Sequence, residues 1–206
     1  MHGHVMMAFL GTFFFVSLTP GMCMTLAMTL GMTIGVKRTL WMMIGELIGV
    51  GSVAVTSVIG VATIMLNYPH LFNILKYLGG AYLIYLAIQM WRARSKLALQ
   101  HMPDNAKRQS RKALALQGWI TAIANPKAWA FMVSLLPPFI NANEPVAPQL
   151  TLLVAIILCS EFVCLTIYAS GGKTLGHYLA HSGNLKWLNR ISGTLMALVG
   201  VWLAAS

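Results

Sequence analysis

Three ionisable side chains lie inside long apolar stretches of this chain: Glu46, Lys127 and Glu161. A charged group within a membrane is costly, and it usually faces a partner or a water-filled cavity. Glu46 and Lys127 could instead extend toward the membrane surface, since each lies near one end of its stretch. The Glu161 carboxyl lies near the middle of an otherwise apolar run, so it either pairs with Lys127 or is kept protonated by its surroundings. These residues are candidates for binding a charged substrate and for moving protons.

Two prolines interrupt apolar stretches at corresponding places in the two halves of the chain. Pro20 lies in Ser-Leu-Thr-Pro-Gly at 17–21, and Pro126 lies in Ala-Asn-Pro-Lys at 124–127. A broken membrane helix exposes backbone groups that a substrate, an ion or a water-filled cavity must satisfy. Paired breaks of this kind are typical of transporters. The alternative at either proline is a simple kink that neighbouring helices repair.

The composition favours an integral membrane protein. Of the 206 residues, 58% are hydrophobic and 9% are charged, and the mean hydropathy is +0.73, well outside the range of soluble domains. The net charge of +10 would suit a nucleic-acid partner. However, the basic residues cluster between apolar stretches instead of alternating with aromatic residues, so we expect no nucleic-acid binding.

The apolar stretches predict six membrane spans, at residues 5–30, 39–66, 71–91, 118–140, 150–170 and 187–205. Each approaches or exceeds the roughly 20 helical residues that cross about 30 Å of hydrocarbon. The first could be taken for a signal peptide. Only His2 and His4 precede it, and no small-residue cleavage site follows, so we expect it to be retained. Residues 1–206 then form a single transmembrane domain.

The basic residues also predict the orientation of the spans. The loop at 92–117 carries half of the 14 Lys and Arg residues, so we expect it to be cytoplasmic, where it is either passive or bound to anionic lipid. Both termini then face the periplasm. Segments 1–91 and 118–206 become two three-span halves of opposite topology. The predicted fold is an all-α integral membrane protein, with two inverted three-helix repeats whose helices 1 and 4 are broken at Pro20 and Pro126.

The charged residues and the first break are predicted to lie at one depth. With a rise of about 1.5 Å per residue, Glu46 is roughly 11 Å and Lys127 roughly 13 Å from the cytoplasmic end of its span. Counted along its span from the periplasmic end, Glu161 lies about 13 Å above the cytoplasmic edge of a 30 Å hydrocarbon core. Pro20 falls in the same inner half. We expect this layer to be the substrate and coupling site.

Sequence motifs in four spans resemble the LysE/RhtB exporters of amino acids such as lysine, arginine, homoserine, threonine and leucine. They are Thr19-Pro20-Gly21, the Lys-Tyr-Leu-Gly-Gly-Ala-Tyr-Leu-Ile-Tyr-Leu run at 76–86, Asn125-Pro126-Lys127 followed by Phe131 and the Leu-Pro-Pro-Phe of 136–139, and Leu188, Arg190, Gly193 and Gly200. The resemblance covers most of the chain. It implies a bacterial inner-membrane exporter driven by the proton gradient.

The chain departs from that family pattern at two places. The family usually continues Thr-Pro-Gly with a second Pro and often an Asn, whereas this chain has Met22-Cys23. Glu46 stands where a small residue is more usual. An extra acid favours a substrate with a cationic group, or a second titrating site, and it leaves the transported amino acid undetermined.

These residues suggest a mechanism. N–H groups after Gly21 would receive the α-carboxylate of an amino acid, with Lys127 as a second anchor. Glu161, assisted by Glu46, would hold the ammonium group or exchange it for a proton, while the two halves rock against each other. The predicted substrate-binding residues are Thr19, Pro20, Gly21, Met22, Cys23, Glu46, Asn125, Pro126, Lys127 and Glu161, and the proton-coupling residues are Glu161 and Glu46.

Other functions fit the sequence less well. Cys23, Cys159, Cys164 and several Met residues could form a soft-metal path with Glu161, although such spans usually reflect irregular packing. His177 and His181 have metal-ligand spacing, but segment 173–186 is more typical of an interfacial helix.

Two further classes lack supporting motifs. A non-transporting scaffold subunit would have no cavity, and an enzyme would need a nucleophile-and-base or zinc-protease arrangement that the spans lack. We expect no cofactor. The expected partners are an amino acid, protons and the lipid bilayer, and the sequence leaves monomer and homodimer open.

Overall fold

The computed structural model of the chain describes residues 3–92, 109–136, 139–141, 144–180 and 182–205. All regular structure in these ranges is helical, which confirms the all-α prediction for this part of the chain. The helices are α1 (Gly3–Leu18), α2 (Met22–Ile34), α3 (Val36–Asn67), α4 (Pro69–Arg92), α5 (Arg111–Ile123), α6 (Pro126–Leu135), α7 (Val146–Ala180) and α8 (Ser182–Ala205).

Two of the described helices contain a segment that is long and apolar enough to cross a membrane. They are Val36–Gly60 in α3 and Val146–Gly172 in α7. Large apolar side chains such as Ile48, Leu78 and Leu198 are more than half exposed on the outside of the bundle. An exterior of this kind suits contact with lipid.

The first and fourth predicted spans each consist of two helices in the structure. Residues 19–21 separate α1 from α2, and residues 124 and 125 separate α5 from α6. Proline disfavours helical geometry in the residue before it, so α1 ends ahead of Pro20. Pro126 occupies the first turn of α6, where its missing N–H has no helical partner to lose.

Several helix boundaries differ from the sequence prediction by four residues or more, among them the start of α8, which is Ser182 and not residue 187. The fourth span was expected to begin at 118, but α5 begins at Arg111, because Ser110 Oγ accepts a hydrogen bond from Ala113 N over 3.1 Å and caps the helix. Arg111 and Lys112 therefore belong to a helix and not to the loop predicted at 92–117. The part of that loop at 93–108 lies outside the described residues.

Helix α7 also extends beyond its predicted end at 170, and it bends at Gly172, where φ is +36° and ψ is −118°. This is a left-handed backbone conformation that glycine adopts readily. The residues from 173 to 180 continue as helix beyond the bend.

Small residues let the helices pack backbone against backbone. A side-chain carbon at Gly45 of α3 would collide with the Ala115 carbonyl of α5, and one at Gly118 would collide with the Met42 carbonyl. The backbones of α4 and α8 meet in the same way at Gly80 and Gly200. Such close contacts are typical of membrane helices, because lipid offers no hydrophobic driving force for their association.

Candidate functional site

The break between α1 and α2 faces α6, α3 and α7 around a buried cavity of about 40 Å³. Its lining is mostly apolar, but it contains three acidic or basic side chains, one each from α3, α6 and α7. The lining residues are Phe13, Ser17, Thr19, Gly21, Cys23, Met24, Glu46, Val50, Asn125, Lys127, Ala128, Phe131, Met132 and Glu161. The three acidic and basic residues singled out from the sequence therefore share one cavity, which we call the inner cavity.

Glu161 is held by partners on two other helices. Ser17 Oγ, in the last turn of α1, donates a hydrogen bond of 2.9 Å to Glu161 Oε1. The Lys127 ammonium group attracts the same carboxyl electrostatically. A carboxylate inside the protein needs such partners to replace its water, and Ser17 and Lys127 offset part of the cost of burying Glu161.

Lys127 connects the two breaks. It lies in the first turn of α6, where its backbone N–H donates to Asn125 Oδ1 over 3.1 Å. Its side chain reaches across the cavity, and Nζ donates to the Thr19 carbonyl over 3.2 Å. That carbonyl is one of the groups released by the end of α1. The lysine thus serves both as a cation in the cavity and as a partner for broken backbone.

Glu46 has a different environment. The residue is only 1% exposed, and within the described residues neither of its carboxyl oxygens meets the geometry of a hydrogen bond with another group. The Cys23 thiol, a weak donor, approaches the carboxyl without reaching good hydrogen-bond geometry, and the Glu161 carboxyl is its acidic neighbour. A buried polar group without a good partner costs about 1–3 kcal/mol, and more when it is charged. Glu46 is therefore the side chain of the inner cavity that would gain most from a bound ligand or proton.

The two half-helices that begin after the breaks are capped differently. The side chain of Asn125 caps α6, and its Nδ2 also lies 3.6 Å from Cys23 Sγ. Gly21, at the start of α2, has no side chain and gives no such cap. The N-terminus of α2 carries positive partial charge and borders the inner cavity at Gly21 and Cys23. It is the better placed of the two to receive an anion.

Three residues at or near the breaks make stabilising hydrogen bonds that the sequence analysis did not predict. Tyr168 donates its hydroxyl proton to the Leu18 carbonyl over 2.9 Å, and the Trp129 indole donates to the Ile123 carbonyl over 2.8 Å. Ser17 binds Glu161 as described above. For Tyr168 the available signal was its position two turns after Glu161 on the same helix face. For Ser17 and Trp129 the signal was only that each lies near a proline.

Three of the predicted substrate-binding residues do not line the inner cavity. Pro20 borders a second cavity, which lies between α4 and α8. Met22 is 41% exposed, and Pro126 is exposed at the start of α6. Their contribution is to end or begin helices. The other seven residues of the predicted set all border the inner cavity.

The soft-metal alternative depends on clusters of ligating side chains. Among the described residues, no group of three or more His, Cys, Asp and Glu side chains is arranged to hold a metal ion. Cys23 and Cys164 are buried and Cys159 is exposed. The side chains of His177 and His181 lie outside the described part of the structure.

Comparison with known proteins identifies the family. The family model described as LysE type translocator matches residues 14–206. The chain belongs to this family. The resemblance drawn from the sequence motifs is thereby confirmed. No solved structure matches the chain.

Relatives of this LysE type translocator include named efflux proteins. The homoserine/homoserine lactone efflux protein of Salmonella typhimurium is 31% identical over 199 residues, covering 97% of this chain and 95% of the relative. The leucine efflux protein of Salmonella choleraesuis is 29% identical over 151 residues, covering 71% and 67%. A protein of Vibrio cholerae described as an uncharacterized membrane protein is 28% identical, covering 98% of each chain.

The inner cavity of this LysE type translocator is too small for an amino acid. A volume of about 40 Å³ is room for a few water molecules, since one water needs roughly 10–15 Å³ on this measure. Small-molecule sites usually offer about 300 Å³ or more. The charged residues are thus assembled around a narrow cavity that must widen before it can hold a small organic molecule.

Proposed function

We propose that this LysE type translocator exports an amino acid across the bacterial inner membrane by proton-coupled alternating access. The observation that carries the proposal is the inner cavity, which combines an open helix N-terminus, one ammonium group and two carboxyl groups. An amino acid is a zwitterion and presents the matching pair of charges. The printed names of the relatives, homoserine and leucine efflux proteins, point to the same class of substrate.

The α-carboxylate of the substrate binds at the N-terminus of α2 and beside Lys127. The backbone N–H groups that follow Gly21 supply the hydrogen bonds, since α2 lacks a side-chain cap. The Lys127 ammonium group borders the same cavity and adds a full positive charge. The N-terminus of α2 directly follows the break at Pro20, and Lys127 directly follows Pro126 at the second break.

The substrate ammonium group and the coupling proton compete for Glu46. The sequence alone suggested Glu161 for the main role, with assistance from Glu46. The contacts favour the reverse order, because Glu161 has the Ser17 hydroxyl and the Lys127 ammonium group as partners, whereas the neighbour of Glu46 is the weakly donating Cys23 thiol, which does not meet the geometry of a full hydrogen bond. A proton arriving from the periplasm would release the ammonium group from Glu46, and departure of that proton to the cytoplasm would restore the site.

An inverted repeat of two three-span halves, 1–91 and 118–206, supplies the alternating movement. In support, α3 packs on α5 and α6, while α7 packs on α1 and α2. These are equivalent pairs when the halves are exchanged. Two further contacts, α4 with α8 and α3 with α7, each join corresponding helices of the two halves. Rocking of one half against the other would open the inner cavity to alternate sides.

The cytoplasmic side is the one that carries the starts of α3 and α5, and both termini lie on the opposite side. Arg38 Nη2 donates to the Gln109 carbonyl over 2.7 Å, and the Arg111 guanidinium lies 5.3 Å from the centre of the Trp41 ring. These contacts bring basic residues from two distant segments to one end of the bundle. Basic residues of short loops favour the cytoplasm.

Efflux from vesicles tests this proposal. Right-side-out vesicles are loaded with a mixture of amino acids, the medium outside is made acidic, and the amino acids that leave faster with the protein present are identified by mass spectrometry. We expect Glu46→Gln and Glu161→Gln to stop gradient-driven movement. Glu144→Gln is the matched control, since it removes a carboxylate that is exposed in the segment before α7. If no amino acid moves in the presence of wild-type protein, or if both cavity variants transport normally, the proposal is wrong.

A further inference from the structure

A second cavity, of about 250 Å³, lies between α4 and α8 and borders the first break. We call it the outer cavity. Its side walls include Leu86 and Gln89 of α4, together with Asn189 and Met196 of α8. Its volume approaches the roughly 300 Å³ of common small-molecule sites. The outer cavity therefore has room for a molecule that the inner cavity, as it stands, does not.

The two cavities share one wall. Thr19 and Lys127 border both of them, and the hydrogen bond of 3.2 Å from Lys127 Nζ to the Thr19 carbonyl crosses the boundary. A single movement of the lysine side chain would break this bond and join the cavities. A ligand that offers the ammonium group a stronger acceptor than a neutral carbonyl, such as a carboxylate, would favour that movement.

The outer cavity lies near the end of the bundle that carries the C-terminus of α4 and the N-terminus of α8. There Trp91 Nε1 donates to the Arg190 carbonyl over 3.1 Å, and the Arg190 guanidinium lies 5.8 Å from the centre of the Trp91 ring. Arg92 ends α4 at the same place. Basic residues of short loops favour the cytoplasm, and this end of the bundle is basic, so the outer cavity is on the cytoplasmic side.

The walls of the outer cavity are amphipathic. Leu86 and Met196 are apolar, while the amides of Gln89 and Asn189 each offer donors and an acceptor. Such a site accommodates the hydrocarbon part of an amino acid side chain and can hydrogen-bond a hydroxyl or carbonyl group on it. The charged ends of the amino acid would face Lys127.

We propose that the outer cavity is the cytoplasmic entry site of the transporter. It holds the amino acid with its carboxylate toward Lys127, selects the side chain through Gln89 and Asn189, and passes the molecule to the inner cavity when the Lys127–Thr19 bond opens. This proposal rests on the proposed export function. It adds the place where the substrate is first bound and the residues that select among substrate side chains.

A cavity-filling pair of variants tests the entry site. Leu86→Trp places a large ring in the outer cavity, whereas Ile88→Trp places the same ring on the outer surface of α4, where Ile88 is 45% exposed. We expect Leu86→Trp to reduce efflux to the level of vesicles without protein, and Ile88→Trp to keep it. Equal amounts of folded protein are verified by gel filtration in detergent.

Substitution of the two amides tests selection. Gln89→Leu and Asn189→Leu keep similar size and remove hydrogen bonding, so the ratio of homoserine to leucine efflux should fall, while Ile191→Leu on the exposed face of α8 should leave the ratio unchanged. If Leu86→Trp and both amide variants behave as wild type while Glu46→Gln abolishes efflux, the entry site is refuted and the export function stands. If wild-type protein exports no amino acid, the export function itself falls, and the entry site with it.

Discussion

The ammonium group of Lys127 in α6 donates a hydrogen bond of 3.2 Å to the Thr19 carbonyl, which the end of α1 leaves without a helical partner. The two residues belong to different halves of the chain, so the break in one half is satisfied by the first turn after the break in the other. Both residues border the inner and the outer cavity. In the proposed entry pathway, the substrate replaces this bond.

Replacing Lys127 should separate its role in transport from its role in stability. Lys127→Met removes the cation, leaves Glu161 without its attracting charge, and should abolish efflux. It should also lower the midpoint of thermal unfolding, since breaking a buried charge pair costs up to about 3–5 kcal/mol. In the double variant Lys127→Met/Glu161→Gln, the midpoint should recover while efflux stays absent. Recovery of efflux in the double variant would show that the ammonium group does not bind substrate.

Glu46→Gln should uncouple the transporter from protons. A neutral amide cannot release or take up a proton, so an imposed pH gradient should no longer drive net efflux. Exchange of labelled for unlabelled amino acid across the membrane needs no proton and should continue at a reduced rate. The measurement compares net flux with exchange in the same vesicles. Loss of the response to the gradient in Glu161→Gln but not in Glu46→Gln would assign coupling to Glu161 instead.

Tyr168→Phe should destabilise the first break. It deletes the hydroxyl that donates to the Leu18 carbonyl over 2.9 Å, and a buried carbonyl without a donor costs about 1–3 kcal/mol. We expect a lower midpoint of thermal unfolding in detergent. Tyr85→Phe, on the exposed face of α4, is the matched control and should have little effect. Equal midpoints for the two variants would contradict the assigned role of Tyr168.

Removing the cap of α6 should affect both stability and transport. Asn125→Ala deletes the acceptor of Lys127 N and the contact with Cys23, and loss of a cap costs typically about 1 kcal/mol. Because Lys127 lies in the capped turn, its ammonium group should also lose its position. Ser110→Ala deletes the corresponding cap of α5 at an exposed site, so it should lower stability without changing efflux. Normal efflux by Asn125→Ala would mean that the cap does not position Lys127.

A larger side chain at Gly45 should prevent folding. Any side-chain carbon there collides with the backbone of α5 at Ala115, and a helix cannot yield at that contact without separating from its neighbour. Gly45→Val should therefore reduce the yield of monodisperse protein in detergent. Gly60→Val, on the same helix, has open space around it and should be tolerated. Similar yields of the two variants would show that α3 and α5 need not approach so closely.

Local and compositional patterns in the sequence determined the class of this protein. Its apolar stretches are long and contain few charged residues. They require helices, because a backbone in lipid must satisfy its own hydrogen bonds. The prolines at 20 and 126 mark places where a helix ends or begins, since proline lacks an N–H and restricts the residue before it. The motifs around them were enough to place the chain in its family.

Only the tertiary structure decided how the site residues are partnered. Ser17 bonds Glu161 across 144 positions of sequence, and Tyr168 bonds Leu18 across 150. No local pattern predicts such pairs, because they depend on how each helix is rotated about its axis and how closely small residues let the helices approach. For the same reason the sequence predicted Glu46 and Glu161 at one depth but could not tell which of them has the stronger partners. The separate roles proposed for the two carboxyl groups rest on that difference.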